Sequence, residues 1–569
     1  MKPSDQNILL KVEGLRVVFR QNNGQHLTAV NDISFTLHRG QTLGVLGESG
    51  SGKSVTALSI LQLLPSDIQV QNQGQFFFYD QNHQQIALHK LSEKQLNRYR
   101  GNRIAMIFQE PKSALNPVFK VGHQIMEAVL LHTNLNKKAA KTKTIEWLEK
   151  VQLTETERIF NAYPHQLSGG QLQRIMIAMA MSCQPDLLIA DEPTTGLDVT
   201  VQKEILQLMR DLQKETNCAI FFISHDLGVI HEIANEVIVM QKGTIVERGA
   251  VKAVFQQPKH PYTKGLIACR PPLDKRLKRL PTIEDFTQEQ SKEAAHPHFA
   301  TEPINKIAGK HTPLLAVRHL KVEYITKRNL LGQPKKTKIA VNEVDFKIFQ
   351  GETIGLIGES GSGKTTVGKA ILRLIPTQNG SIQYRDTEIS DYKESALKNW
   401  RKKAQIIFQD PYASLNPNRR IGDAIIEVLQ VHQIVSKKQQ YQKTIELLQD
   451  VGLDASHYDR FPRQLSGGQR QRVCIARALA LHPEFIVCDE PVSALDVSVQ
   501  AQVLNLLKDL RDKYRFTYLF ISHDFSVIRF MCDRLLVMKD GNIIESGYTD
   551  EVLNNPKEAF TKRLLGAVV

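Results

Sequence analysis

The sequence predicts an α/β protein made of two similar domains in tandem, each built around a mostly parallel sheet. Three observations predict it. A set of short motifs occurs twice in the same order, brief apolar runs precede the motifs, and helical patterns lie between those runs. Runs such as Leu43-Gly44-Val45-Leu46, Leu187-Leu188-Ile189-Ala190 and Ile220-Phe221-Phe222-Ile223 are rich in branched and aromatic side chains. Their length and content suit strands buried on both faces. Strands alternating with helices give the α/β arrangement, in which ligands bind beyond the carboxyl ends of the strands.

The repeat is explicit. Gly47-Glu48-Ser49-Gly50-Ser51-Gly52-Lys53-Ser54 returns as Gly358-Glu359-Ser360-Gly361-Ser362-Gly363-Lys364-Thr365. Ile107-Phe108-Gln109 returns as Ile407-Phe408-Gln409, and Leu167-Ser168-Gly169-Gly170-Gln171 as Leu465-Ser466-Gly467-Gly468-Gln469. Asp191-Glu192-Pro193 and Ser224-His225-Asp226 return as Asp489-Glu490-Pro491 and Ser522-His523-Asp524. From Ser168 onward the copies stay 298 residues apart. Before it, Lys53 and Gln109 are 56 residues apart, whereas Lys364 and Gln409 are 45 apart. The surplus of 11 falls around Ser66 to Glu93, where a peripheral loop or hairpin tolerates it. We expect a first domain over 7–270 and a second over 313–569. The intervening 271–312 holds Pro271, Pro272, Pro281, Pro297 and Pro303 among many charges and reads as an extended connector.

Each element has a chemical reason. In Gly-x-x-x-x-Gly-Lys-Ser/Thr, the P-loop, glycines let backbone N–H groups face a polyphosphate, and the next helix points its positive end at the same anion. Lys53 and Lys364 then reach the β- and γ-phosphates of ATP, and Ser54 and Thr365 ligate Mg²⁺. A single match is only moderate evidence against a glycine-rich turn into a helix; two matches, each after an apolar strand, make that reading negligible. Asp191 and Asp489 end apolar runs, where a carboxylate holds the Mg²⁺ shell from a strand tip. Glu192 and Glu490 are placed to act on a water in line with the γ-phosphate. Gln109 and Gln409 offer amides to Mg²⁺ and that water, and His225 and His523 offer a hydrogen bond to the γ-phosphate. A solvated acidic pair or a structural histidine is the bland reading of each, and repetition at a common offset weighs against it. Ser168 and Ser466 stand where a helix N-cap would be, with two bare glycines behind them, a second anion-binding helix start in a domain that already has one. The economical explanation is that it binds the other domain's nucleotide.

Composition excludes several classes. Hydrophobic residues at 41% and charged residues at 23% are ordinary for soluble globular protein. No apolar stretch approaches the ~20 residues that span a bilayer, and no charged-then-apolar leader opens the chain. The expectation is a cytoplasmic protein, or one attached to a membrane through something else. Six cysteines stand singly, with no C-x-x-C pair for zinc, iron–sulfur or disulfides. A net charge of +14 raises the question of nucleic acid. The basic stretches Lys275, Arg276, Lys278, Arg279 and Lys327, Arg328, Lys335, Lys336, Lys338 lack interleaved aromatics, however. They read as a solvated face or a contact with lipid headgroups.

On these motifs the chain resembles the ATP-binding-cassette ATPases over nearly all of both halves. The resemblance implies an antiparallel β part and a helical subdomain in each domain, and a head-to-tail sandwich with two ATP molecules between the domains. One site would join Lys53, Ser54, Gln109, Asp191, Glu192 and His225 to Ser466, Gly467, Gly468 and Gln469. The other would join Lys364, Thr365, Gln409, Asp489, Glu490 and His523 to Ser168, Gly169, Gly170 and Gln171. Phe19 and Tyr324 hold the positions at which the family stacks adenine. With every one of these positions filled in both copies, two competent sites are expected.

Leu115-Asn116-Pro117, Leu415-Asn416-Pro417 and Pro258-Lys259-His260-Pro261-Tyr262-Thr263-Lys264 are similar to the importer class for peptides and nickel, and the fusion to the single-chain ATPases of the microcin C/oligopeptide and glutathione importers. Domain 2 departs from that tail, with Pro556-Lys557-Glu558-Ala559-Phe560-Thr561 lacking the His-Pro pair. The resemblance implies two integral-membrane permease partners, touched through about Pro111–Glu127 and Pro411–Glu427. It also implies an extracytoplasmic substrate receptor, no nucleic acid, and a place on the cytoplasmic face of the cell membrane. Peptide is the first expectation for cargo, nickel or another small solute the second. A tandem cassette protein acting on the ribosome is the rival reading, against which the Pro-broken connector and the Pro-x-His-Pro-Tyr-Thr segment both speak. A DNA-repair cassette ATPase lacks its zinc-ligand cysteines here.

Overall fold

The computed structural model describes residues 7–20, 26–64, 70–287, 300–302, 312–328 and 334–566. Each apolar run becomes a buried strand. In the first half the strands Ile104–Ile107, Leu187–Asp191, Ala219–Ile223, Thr42–Leu46 and Glu236–Gln241 lie side by side, all parallel, and Thr244–Ala250 closes the edge antiparallel. In the second half Ala404–Ile407, Phe485–Asp489, Thr517–Ile521, Thr353–Ile357, Arg534–Lys539 and Asn542–Tyr548 repeat that order. Both sheets carry their motif residues at strand carboxyl ends, as an α/β sheet requires.

A four-stranded antiparallel sheet covers one face of each core. The first is ordered His26–His38, Ile8–Arg20, Val70–Tyr79, Gln85–Ala87, and the second Pro334–Phe349, Pro313–Arg328, Asn379–Tyr384, Thr387–Glu388. Apolar residues from both layers of the first half, such as Leu15, Phe35, Phe76 and Phe221, form one core. Leu320, Val341, Ile382 and Leu519 form its counterpart. The surplus resolves here. Gly74 and Gly380 meet the neighbouring strand at Leu15 and Leu320. Lys53 to Gly74 spans 21 residues against 16 from Lys364 to Gly380, so about half the surplus precedes this point and the rest lies in the hairpin and short helices beyond it. Its residues 65–69 lie outside the described residues.

On the other side, Val121–His132 and Lys137–Lys150 pack on the helix Gly169–Met181, and Ile421–Val431 and Gln440–Asp450 on Gly467–Leu479. These are the helical subdomains. All six cysteines are free, and five are buried.

The connector differs from the extended chain that its prolines suggest. Leu277 and Leu280 are buried, and Arg276 is sunk against the second domain, where its guanidinium pairs with Asp533 at 3.1 Å and donates to the Cys532 carbonyl. Asn505 exchanges two hydrogen bonds with the Leu280 backbone, and Arg279 pairs with Asp509. Residues 276–278 bond to 300–302. The short helix Glu284–Thr287 then lies against Pro261–Ala268 of the first domain. So the basic stretch 275–279 is not simply a solvated face: Lys275 and Lys278 are exposed, while Arg276 staples the two domains together. Pro297 and Pro303, and the side chains of Lys327, Arg328, Lys335 and Lys336, lie outside what is described.

Candidate functional site: two P-loops at the domain interface

Each P-loop ends in a glycine at positive φ, Gly52 at 102° and Gly363 at 107°. A Cβ there would come within 2.5 Å of the Ala29 carbonyl or 2.2 Å of the Ala340 carbonyl, so no other residue fits. The following helices, Lys53–Ile60 and Lys364–Ile371, begin with their N–H groups facing the loop. Lys53 Nζ donates to the Gly47 and Glu48 carbonyls at 2.7 and 2.8 Å, and Lys364 Nζ to those of Gly358 and Glu359 at 2.8 and 2.9 Å. Burial pushes both ammonium groups down from the usual lysine range, against the pull of nearby carboxylates. Inside each loop a buried hydroxyl, Ser51 or Ser362, has no partner. A cradle of N–H groups with a buried lysine and an orphan hydroxyl fits a polyphosphate.

Beside each loop sits the acid set. Ser54 Oγ donates to Asp191 Oδ1 at 3.1 Å, and Thr365 Oγ1 to Asp489 Oδ1 at 2.8 Å. Burial pushes the Asp191 carboxyl up to about 6, offset in part by the Ser54 hydroxyl, and moves Asp489 the same way. A hydroxyl and a carboxylate so paired form a hard oxygen site of the kind Mg²⁺ takes.

Glu192 and Glu490 lie one residue on, in the left-handed region at φ 47° and 48°. That backbone is strained for a non-glycine residue and is held by N–H bonds to the Ile223 and Ile521 carbonyls. Gln109 donates to Glu192 at 3.0 Å, and Thr195 donates to the same oxygen at 3.0 Å. His225 Nδ1 is 3.1 Å from it. Burial alone would raise the Glu192 carboxyl. The hydrogen bond and charge of His225, with Lys53 and Thr195, outweigh it and hold the group at about 2. Conversely, His225 is raised by Glu192 against its burial. Gln409, His523 and Glu490 repeat this at 2.8 and 3.3 Å, with the same directions. Each triad holds an ionised carboxylate aimed by an amide and an imidazole.

Ser168 and Ser466 are N-caps, as their spacing predicts. Each hydroxyl accepts from the N–H of Gln171 or Gln469, at 3.3 and 3.2 Å, and each glutamine side chain accepts in return from the serine N–H. Ser168–Gln171 do not line the cavity over the second P-loop. The cavity of about 640 Å³ over Ser360–Thr366 is walled by Thr194–Asp198 and Ser224–Asp226 of the first domain, and Ser168–Gln171 stand behind Leu197. Over the first P-loop the approach is closer. Ser49 N–H donates to Asp496 Oδ2 at 2.9 Å, and Ser498 hydrogen-bonds Glu48. Asp198 and Asp496 were missed by sequence reasoning, although Leu197-Asp198 and Leu495-Asp496 recur at the 298-residue offset. Phe19 packs, half-buried, against the core of the first half, and Tyr324 lines the second cavity.

Two P-loops, each with a strand-tip acid pair, a glutamine and a histidine, and each approached by the other domain near Asp198 or Asp496, define an ATPase with two nucleotide sites. The ABC transporter family profile matches residues 30–195 and 341–493, and the profile for the oligopeptide/dipeptide transporter C-terminal region matches 246–298. The glutathione import ATP-binding protein GsiA of Escherichia coli strain K12 is 45% identical over 99% of this chain and 90% of its own. Its namesake from Pectobacterium atrosepticum is 43% identical over 98% and 89%. Among solved structures, a dimeric bacterial ABC transporter cassette aligns over 41% of this chain and 98% of its own, with 26% identity and a TM-score of 0.37. The chain belongs to the ABC transporter family, as two ATP-hydrolysing domains in one polypeptide.

Proposed function

We propose that this chain energises import of small peptides, of the di- and oligopeptide class that includes glutathione, from the cytoplasmic face of two membrane permeases. The observation that carries the reading is the importer-type segment 246–298, built into the first site through Tyr262. Among the described residues no helix is long and apolar enough to cross a membrane, so the path for cargo belongs to partners. Selection of cargo belongs to them and to a receptor outside the membrane.

In this reading the P-loop N–H groups and Lys53 or Lys364 bind the β- and γ-phosphates. Ser54, Asp191 and Gln109, or Thr365, Asp489 and Gln409, would hold a Mg²⁺ ion, which would supply positive charge to the phosphates. Glu192 and Glu490 orient a water on the far side and take its proton, and His225 and His523 donate to the γ-phosphate oxygens. The products are ADP and phosphate. Binding closes the interface by bringing Ser466–Gln469 and Ser168–Gln171 onto the opposite nucleotides, past Leu495 and Leu197.

Closure reaches the permeases through the segments after Gln109 and Gln409. Val118 and Phe119 are exposed in the first, whereas Asn418 and Arg419 occupy those places in the second. Two unlike docking faces suit two unlike permease subunits. Affinity purification from native membranes in mild detergent tests the reading: co-purifying multi-spanning permeases support it, and ribosomal proteins without a permease overturn it.

A further inference from the structure

The catalytic residues of the two sites are matched, but their base-side ends are not. Phe19 pairs across strands with Leu27, and the corresponding Tyr324 pairs with Lys338. Two residues further on, Ala29 and Ala340 touch Gly52 and Gly363, which fixes the correspondence. The residue after the P-loop Ser54 or Thr365 is Val55 in the first site and Thr366 in the second. The first site therefore has Phe19, Leu27 and Val55 where the second has Tyr324, Lys338 and Thr366. All three changes run from apolar to polar. They act together, since Tyr324 Oη lies 3.4 Å from Thr366 Oγ1, and both line one cavity with Lys338 and the P-loop.

Into that cavity the first domain sends a further cation. Arg270, within the importer-type segment, lines it together with the buried Pro271. The following strap, from Arg276 to Leu280, is pinned to the second domain, so Arg270 is carried on a segment fixed at its far end. A guanidinium and an ammonium in a partly enclosed cavity favour a polyanion by charge-assisted hydrogen bonds, whereas an aromatic ring beside an exposed leucine offers stacking and apolar area alone.

We propose that Tyr324, Lys338 and Thr366, joined in trans by Arg270, make the second site the tighter and more salt-sensitive of the two nucleotide sites, leaving the first to exchange nucleotide more readily. This rests on the assignment of both P-loops as ATP sites. The probe is ATPγS with Mg²⁺, titrated calorimetrically into the full chain carrying either Lys53→Ala, which leaves the second site, or Lys364→Ala, which leaves the first. We expect binding about tenfold tighter in the Lys53→Ala chain at low salt, with the gap narrowing as salt rises. Adding Arg270→Gln or Lys338→Leu to that chain should weaken binding about three- to fivefold and leave the Lys364→Ala chain unchanged. Leu27→Lys should tighten the first site. Equal affinities at low salt, or losses shared by both backgrounds, overturn the proposal. If neither lysine change lowers the number of nucleotides bound, the site assignment itself fails, a result read from stoichiometry and not from affinity.

Discussion

The hydroxyl of Tyr262, fully buried, accepts a hydrogen bond from the backbone N–H of Glu48 at 3.2 Å. It joins the importer-type segment to the P-loop of the first site. The second domain has Phe560 at that place, and Glu359 is held instead by Arg563 at 3.3 Å. Tyr262→Phe should cost about 1 kcal/mol by stranding the Glu48 N–H. It should also raise the KM for ATP with a small change in kcat. Thermal melting beside steady-state kinetics checks both, and an unchanged KM contradicts a positioning role.

The same acid pair, glutamine and histidine stand at each P-loop, and we propose on that ground that both sites are competent. Glu192→Gln and Glu490→Gln should each depress ATP turnover, and the double variant should fall by about 100-fold or more. Phosphate release measured for each chain decides it. A single change that leaves turnover untouched would refute two competent sites.

The pH response follows from burial of Asp191. Its pKa is raised to about 6, so the group takes up a proton as pH falls through 6 and no longer serves Mg²⁺. Glu192, held at about 2, stays ionised throughout that window. In the proposed reading, Mg²⁺ binding at the first site should therefore weaken as pH falls through about 6, as metal titration at several pH values checks. The stability term has the opposite sign: the folded pKa lies above the unfolded one, so protonating Asp191 between about 6 and 4 relieves a buried charge and stabilises the fold. Asp191→Asn should flatten this contribution to the stability profile, read by denaturant titration across that range.

The strap predicts a stability defect far from either site. Arg276→Ala leaves Asp533 buried with Arg511 at 3.7 Å as its remaining cation, and should cost about 3–5 kcal/mol in a denaturant titration. Arg279→Ala, whose partner Asp509 is exposed, should cost less than about 1 kcal/mol.

The P-loops and the serine caps were legible in the sequence because each is a contiguous string whose chemistry is local, whereas the acid pairs, both glutamines and both histidines were legible because they recur in the same order in both halves, although their partners lie 33 to 137 residues away. The strands were legible locally as well: Leu187–Asp191 and Phe485–Asp489 are apolar, short and buried throughout. What sequence reasoning missed depends on contacts across the fold. Arg276 looked like one of four solvated cations, and only its approach to Asp533, 257 residues later, makes it a buried staple. Asp496 drew no reading from the sequence, and only the interface sets it against Ser49. The 298-residue spacing did carry Asp198 and Asp496, and comparing the copies residue by residue beyond the named motifs would have found them.

Whether ATP hydrolysis by this chain drives peptide entry is tested most directly by uptake. Cells carrying the wild-type chain, or the chain with both Lys53→Ala and Lys364→Ala, would be given radiolabelled glutathione and a labelled dipeptide. The account predicts that uptake of at least one is lost in the double variant while the chain still co-purifies with its permeases. Undiminished uptake of both, with that association intact, would contradict it.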